Sequence, residues 1–299
     1  MAGSPQAFRS LSVRARMRFR HGLDFGSRPM LRRFAPRSVW LLLATTLLVS
    51  ACADAPPDDG PDDGQPARSD ARAILDSART AAGADVLAGG ARVSFTFRGD
   101  RFRLRHRADG GFSYARLSRD SLGRRVEDVL TSSGTLRRRI DGRSASLDSA
   151  ARRRIETAVN SVAHFALLPF PLGDPAVQPR YAGTDTLRGT PYHRIAVRFR
   201  QQGGGRDWQD RFLYWFDQRD FSMDYLAYAY GLGNGEDYGT RFRDAFNVRR
   251  IGGVRFADYR NYTLPDSLPP DQLARYGRLF DADSLRRVST VALDSVRVE

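Results

Sequence analysis

VSFTFRGDRFRLRH, residues 93–106, decides the architecture. Val93, Phe95 and Phe97 alternate with Ser94, Thr96 and Arg98. After Gly99-Asp100, Phe102, Leu104 and His106 alternate with Arg101, Arg103 and Arg105. A period of two puts each set on its own face of a strand. Two such runs with glycine between them read as a hairpin. One apolar face and one charged face mark an antiparallel sheet that is wet on one side. Asp109-Gly110-Gly111 repeats the break, so residues 93–117 read as a meander, which 126–131 and 135–140 continue.

Working outward, the period changes. Leu147, Ala151, Ile155, Ala158, Val159, Val162 and Phe165 fall at helical spacing, with Ser146 as cap and Pro169 as stop. A shorter helix is expected over 71–82, capped by Ser69 or Asp70 and stopped at Gly83. Strand patterns resume with His193, Ile195, Val197 and Phe199 and continue over 211–216, 222–230, 240–248 and 254–262. A short helix near 271–280 and a last strand near 290–298 complete the chain. Few helices, many strands and loops too short for βαβ crossovers make this α+β. A sheet of roughly ten strands must curl or close. The expected fold is a curled antiparallel half-open β-barrel with a few helices packed on its concave face.

Upstream of the body lies an export pattern. Residues 39–51 are mostly apolar, basic residues precede them, and Val49-Ser50-Ala51-Cys52 has the form of a lipobox. Thirteen residues are too few to span about 30 Å of hydrocarbon, which takes roughly 20. Residues 1–51 are therefore read as a signal peptide and Cys52, the sole cysteine, as the lipidation site. Starting at Met30 gives a signal of conventional length, so translation is expected to begin there. Residues 52–70, rich in Pro, Gly and Asp, form a disordered tether, and 71–299 form a single domain. Ala53 after the cysteine points to the outer membrane, facing the periplasm.

The net charge of +14 resembles that of a nucleic-acid binder. Removal of the signal leaves 39 arginines against 33 acidic residues, and export argues against any nucleic-acid partner. Arginines on strand faces, either simply solvated or facing anionic headgroups, account for the excess. The oligomeric state is not legible.

Several blocks carry a resemblance: Asn160-Ser161-Val162, the run from Phe165 to Phe170, Gly173-Asp174-Pro175, Gly189-Thr190-Pro191-Tyr192-His193, Tyr214-Trp215, the run from Met223 to Tyr228, and that from Asp258 to Tyr262. Together they resemble a family of bacterial lipoproteins built on a domain of unknown function. That family is in turn similar to the LolA/LolB-type lipoprotein carriers. The resemblance implies a half-open barrel lidded by helices around a lipid cavity. It supplies no catalytic residues.

No cofactor motif is present. Gly203-Gly204-Gly205 lies between strands with no helix after it, so it reads as a hairpin loop rather than a phosphate cradle. His106, His164 and His193 have no metal-ligand spacing, and no Gly-x-Ser-x-Gly elbow occurs. Ligand-cavity candidates are Phe165, Leu168, Phe170, His193, Tyr214, Trp215, Tyr225 and Tyr228. The run 165–172 reads equally as a lid or as a buried connection. Asp224, lodged among apolar residues, needs a partner if buried; Arg241 or Arg243 is expected to supply it. The leading reading is a non-enzymatic lipoprotein that binds a hydrophobic or lipid-like ligand. A structural or interaction lipoprotein with a filled core is the alternative, followed by an envelope hydrolase using His193 or Asp224.

Overall fold

The computed structural model describes residues 64–234 and 238–299. The signal, Cys52 and most of the expected tether lie outside them. Helices α1 (Gly64–Ala81) and α2 (Ala84–Ala88) come first. Strands β1 (Arg92–Phe97), β2 (Asp100–His106), β3 (Phe112–Arg119), β4 (Arg125–Thr131), β5 (Leu136–Ile140) and β6 (Arg143–Ala145) follow. Helix α3 (Ser149–Ala166) and a 3-10 turn (Phe170–Gly173) lead into β7 (Val177–Leu187), β8 (Thr190–Phe199), β9 (Arg211–Asp217) and β10 (Met223–Tyr230). Then come β11 (Gly239–Ile251), β12 (Val254–Thr263), α4 (Arg275–Asp281), β13 (Arg286–Val291) and β14 (Asp294–Val298).

The strands form two seven-stranded antiparallel sheets, ordered β14-β1-β2-β3-β4-β5-β6 and β13-β12-β11-β10-β9-β8-β7. Neither closes on itself, which gives the open, curled architecture expected. The expected last strand is two. β13 pairs with β12 in one sheet and β14 with β1 in the other, so the final residues stitch the sheets together.

Hairpin geometry follows from dipeptides ending in glycine. Arg98-Gly99, Asp141-Gly142, Arg188-Gly189 and Gly252-Gly253 each connect adjacent strands with both φ angles positive. That is the twist a two-residue hairpin requires. The first turn is therefore one residue earlier than the sequence suggests, and Asp100 begins β2.

In the first sheet the alternation holds. Val93, Phe95, Phe102, Leu104 and Tyr114 pack against Ile155, Val159 and Ala163 of α3. Arg101, Arg103, Arg105 and Arg137 stand exposed, so much of the positive charge is solvated strand face. Asp148, not Ser146, caps α3, accepting from the Ala151 amide at 2.7 Å. A carboxylate at this position also complements the helix dipole.

The second sheet departs from the wet-faced expectation. β9 carries Phe212, Tyr214 and Phe216 toward a cluster with Ala71, Leu75 and Ala78 of α1. Its Leu213 and Trp215 face the other way, into a cluster with Leu268, Leu273, Tyr276 and Phe280. Both faces are covered, and for that reason Phe212-Leu213-Tyr214-Trp215-Phe216 is an unbroken apolar run. β7 escaped the sequence reading because Pro179 and Gly183 interrupt it. It is an edge strand with a bulge between Tyr181 and Thr184, where both residues are tolerated.

Helix α1 starts at Gly64, inside the expected tether. Pro66 is compatible with that start, since a first helical turn needs no donor from it. Gly83 joins α1 to α2 at φ 85°. A Cβ there would come within 2.3 Å of the Gly253 carbonyl oxygen, so the β11–β12 turn and the helix junction meet backbone to backbone.

Candidate functional site

Among the described residues, two clefts bear on the candidate residues. The larger, about 340 Å³, lies beside the end of α1, between Phe221-Ser222-Met223-Asp224 and Arg249-Arg250. Asp224, Arg249, Arg250 and Arg255 of its lining are each hydrogen-bonded within the protein. Asp224 meets Arg255 Nη2 at 2.9 Å and accepts from the Tyr192 and Ser222 hydroxyls at 3.2 Å. Arg249 is bonded to Asp258 at 3.1 Å, and Arg250 donates to the carbonyls of Ala81 and Gly253. Burial holds the Asp224 carboxyl above its usual range, against the opposing pull of Arg255.

Asp224 thus has the arginine partner its setting demands, but the partner is Arg255, not Arg241 or Arg243. Arg241 donates to the Thr240 carbonyl at 2.7 Å and the Thr263 hydroxyl at 3.1 Å. Arg243 donates to the Tyr228 hydroxyl at 3.1 Å. Strand register explains the error: Arg241 and Arg243 lie opposite Tyr228 and Leu226, while Asp224 falls beyond the last β10–β11 pair. Arg255 reaches Asp224 from β12.

The second cleft, about 190 Å³, opens between α3 and the second sheet. Ser161, Val162, Phe165 and Ala166 of α3 form one wall. Ala257, Tyr259 and Asn261 of β12, with Val291 and Leu293, form the other, and Phe97 and Arg98 stand at the β1–β2 turn. Arg243 also lines it, although only 8% of its surface is exposed. The Phe165 ring centroid is 3.8 Å from the guanidinium carbon and that of Tyr228 5.2 Å. Arg243 Nε and Nη1 are buried with no hydrogen-bond partner, as are Tyr214 Oη, His164 Nε2 and Asn261 Oδ1. Burial first, and Arg243 second, pull His164 down to about 4, so its ring is neutral at physiological pH.

The eight cavity candidates separate accordingly. Phe165 lines the second cleft, and Tyr228 lies behind it against the same guanidinium. Tyr214 is fully buried beneath them, in the same cluster as Leu168. Trp215 and Tyr225 belong to the opposite face of the sheet and pack with Phe242 and Phe280. Phe170 caps His106 edge-on at 4.5 Å. His193 lies at another rim, stacked with Phe221 and 3.4 Å from the Tyr181 hydroxyl. Leu168, Tyr214, Trp215 and Tyr225 are thus packed into side-chain clusters rather than lining either of these clefts. The run 165–172 is a buried connection rather than a lid, with Leu167, Leu168 and Leu172 at most 3% exposed.

Arg243 was visible to sequence reasoning only as an ion-pair candidate. Its signal as a site residue was an arginine on the inward side of β11, two places before Ala245. Among the described residues no cluster of three or more metal-ligating side chains occurs, and no helix is long and apolar enough to cross a membrane.

Residues 91–291 match DUF6503, a family of unknown function. No curated protein matches the sequence. Among solved structures, the chain is similar to a LolA superfamily protein from Nitrosomonas europaea at 10% identity and TM-score 0.42, and to a DUF1329 family protein from Desulfovibrio piger at 11% identity and TM-score 0.36. Each likeness covers 77% of this chain and 93% of the other.

Proposed function

The chain belongs to DUF6503, a family of unknown function, and from that premise we propose an envelope lipoprotein that holds an apolar chain in the cleft between α3 and the second sheet. Acylated Cys52 would anchor it to the outer membrane, facing the periplasm. The domain begins by residue 71, and the tether of this reading is shorter than residues 52–70 by the first turns of α1. The lipoprotein-carrier likeness of the fold is in keeping with such a role.

The observation that carries the reading is the apolar lining of the cleft by Val162, Phe165, Ala257, Val291 and Leu293. At ~30 Å³ per water-sized group, its volume takes about six methylenes. Burying those contributes about 5 kcal/mol. Alone, that corresponds to a dissociation constant of roughly 0.2 mM before ordering costs. The site suits brief custody of one chain end. It does not suit enclosure of a diacyl lipid. An interaction protein with a filled core is the second reading, favoured by the solid packing of Tyr214, Trp215 and Tyr225.

Octanol binding to the unacylated Cys52→Ser chain, followed by ligand-observed NMR, separates the two. Saturation transfer to the octyl chain is expected, and it should disappear in Val162→Trp, whose indole fills the cleft. Equal transfer in both proteins would remove this site from the account. No transfer in either would favour the interaction protein.

A further inference from the structure

We propose that the cleft selects amphiphiles carrying an oxyanion, with Arg243 as the residue that recognises it. This rests on the reading above and adds the chemistry of the head group. A buried guanidinium normally has a carboxylate or several carbonyls around it, because an unpaired interior charge is costly. Arg243 has neither. Its one hydrogen bond goes to the Tyr228 hydroxyl, and Nε and Nη1 are left over. Among the described residues no carboxylate oxygen comes within 4.0 Å of it, whereas Arg116, Arg138, Arg249 and Arg255 each have an aspartate.

The surroundings exclude a hidden counter-charge. The rings of Phe165 and Tyr228 cover the guanidinium, His164 is neutral, and no acidic side chain lines the cleft. Aromatic faces attract a cation without neutralising it, so Nε and Nη1 remain unpaired, and an oxyanion reaches them by a small shift of the covering side chains. Arg98 stands exposed at the mouth, a second positive charge on the way in. A cleft with an apolar wall, an arginine at its rim and an unmatched arginine at its floor fits a chain that ends in carboxylate or phosphate. Arginine donors suit either oxyanion.

The test is a ligand series on the unacylated Cys52→Ser chain: octanoate, octyl phosphate, octanol, octyltrimethylammonium and inorganic phosphate, by titration calorimetry. One or both anionic amphiphiles are expected to bind at least tenfold tighter than octanol, and the cation more weakly than octanol. The tighter of octanoate and octyl phosphate identifies a fatty acid or a phosphorylated lipid as the source. In Arg243→Met the ratio of anion to octanol affinity should fall to near one. Arg243→Lys, which keeps the charge on a single nitrogen, should retain part of it. Octanol binding as tightly as both anions, or an Arg243→Met ratio unchanged from wild type, overturns the proposal and leaves the apolar cleft standing. Binding of inorganic phosphate without octanol would do the reverse, keeping the anion site and removing the chain. No binding by any of the five would remove both.

Discussion

Asp128→Ala is expected to lower folding stability by about 3–5 kcal/mol, the cost of stranding buried charge. Asp128 is fully buried on β4 and lies directly between Arg116 of β3 and Arg138 of β5 in the strand register. Arg138 binds it through two nitrogens at 2.7 and 2.9 Å, and Arg116 through one at 2.8 Å. Both arginines are about one-fifth exposed. Without the carboxylate, two guanidinium groups face each other on the inner side of the sheet, with only the less buried Asp100 near Arg116 to offset them in part. Urea unfolding measures the loss. A change below about 1 kcal/mol would mean that water reaches the three charges freely. Replacing all three with apolar residues of similar size should recover much of the stability, because the cost comes from breaking the set.

Trp215→Ala should cost a comparable 3–5 kcal/mol, as large truncations in a packed core do, and leave octanol binding to the α3 cleft unchanged. Trp215 is fully buried among Leu213, Phe242 and Tyr276, and its indole nitrogen donates to Asp185 at 3.1 Å. It faces away from Arg243 and Phe165. A ligand-cavity wall would behave oppositely, tolerating truncation while binding changed. Parallel unfolding and binding measurements on this one variant therefore distinguish core from cavity.

These two residues show where the sequence was informative. The alternation of 93–106 and the helical spacing of 147–165 specify sheet and helix directly, because each depends on local period alone. Asp128 shares a face with Val126 and Leu130, which the pattern shows. That Arg116 and Arg138 are its partners depends on pairing registers that only the assembled sheet supplies. Trp215 sits in a run whose apolar character announces burial on both sides, but the covering layer, α4 and the segment before it, comes only after three more strands of the chain. The cleft was harder still. Phe165 stood out as an apolar residue at a helix end. Arg243 stood out among the 48 arginines only as a possible partner for Asp224, not as a group without a partner of its own. Composition could not show an unmatched charge.

The most direct test of the central claim is a crystal structure of the Cys52→Ser chain with 8-bromooctanol, its bromine located by anomalous scattering. The account predicts one strong peak among Val162, Phe165, Val291 and Leu293, with Trp215 and its neighbours unmoved. Bromine absent from that cleft, or found within the packed cluster around Trp215, would contradict it.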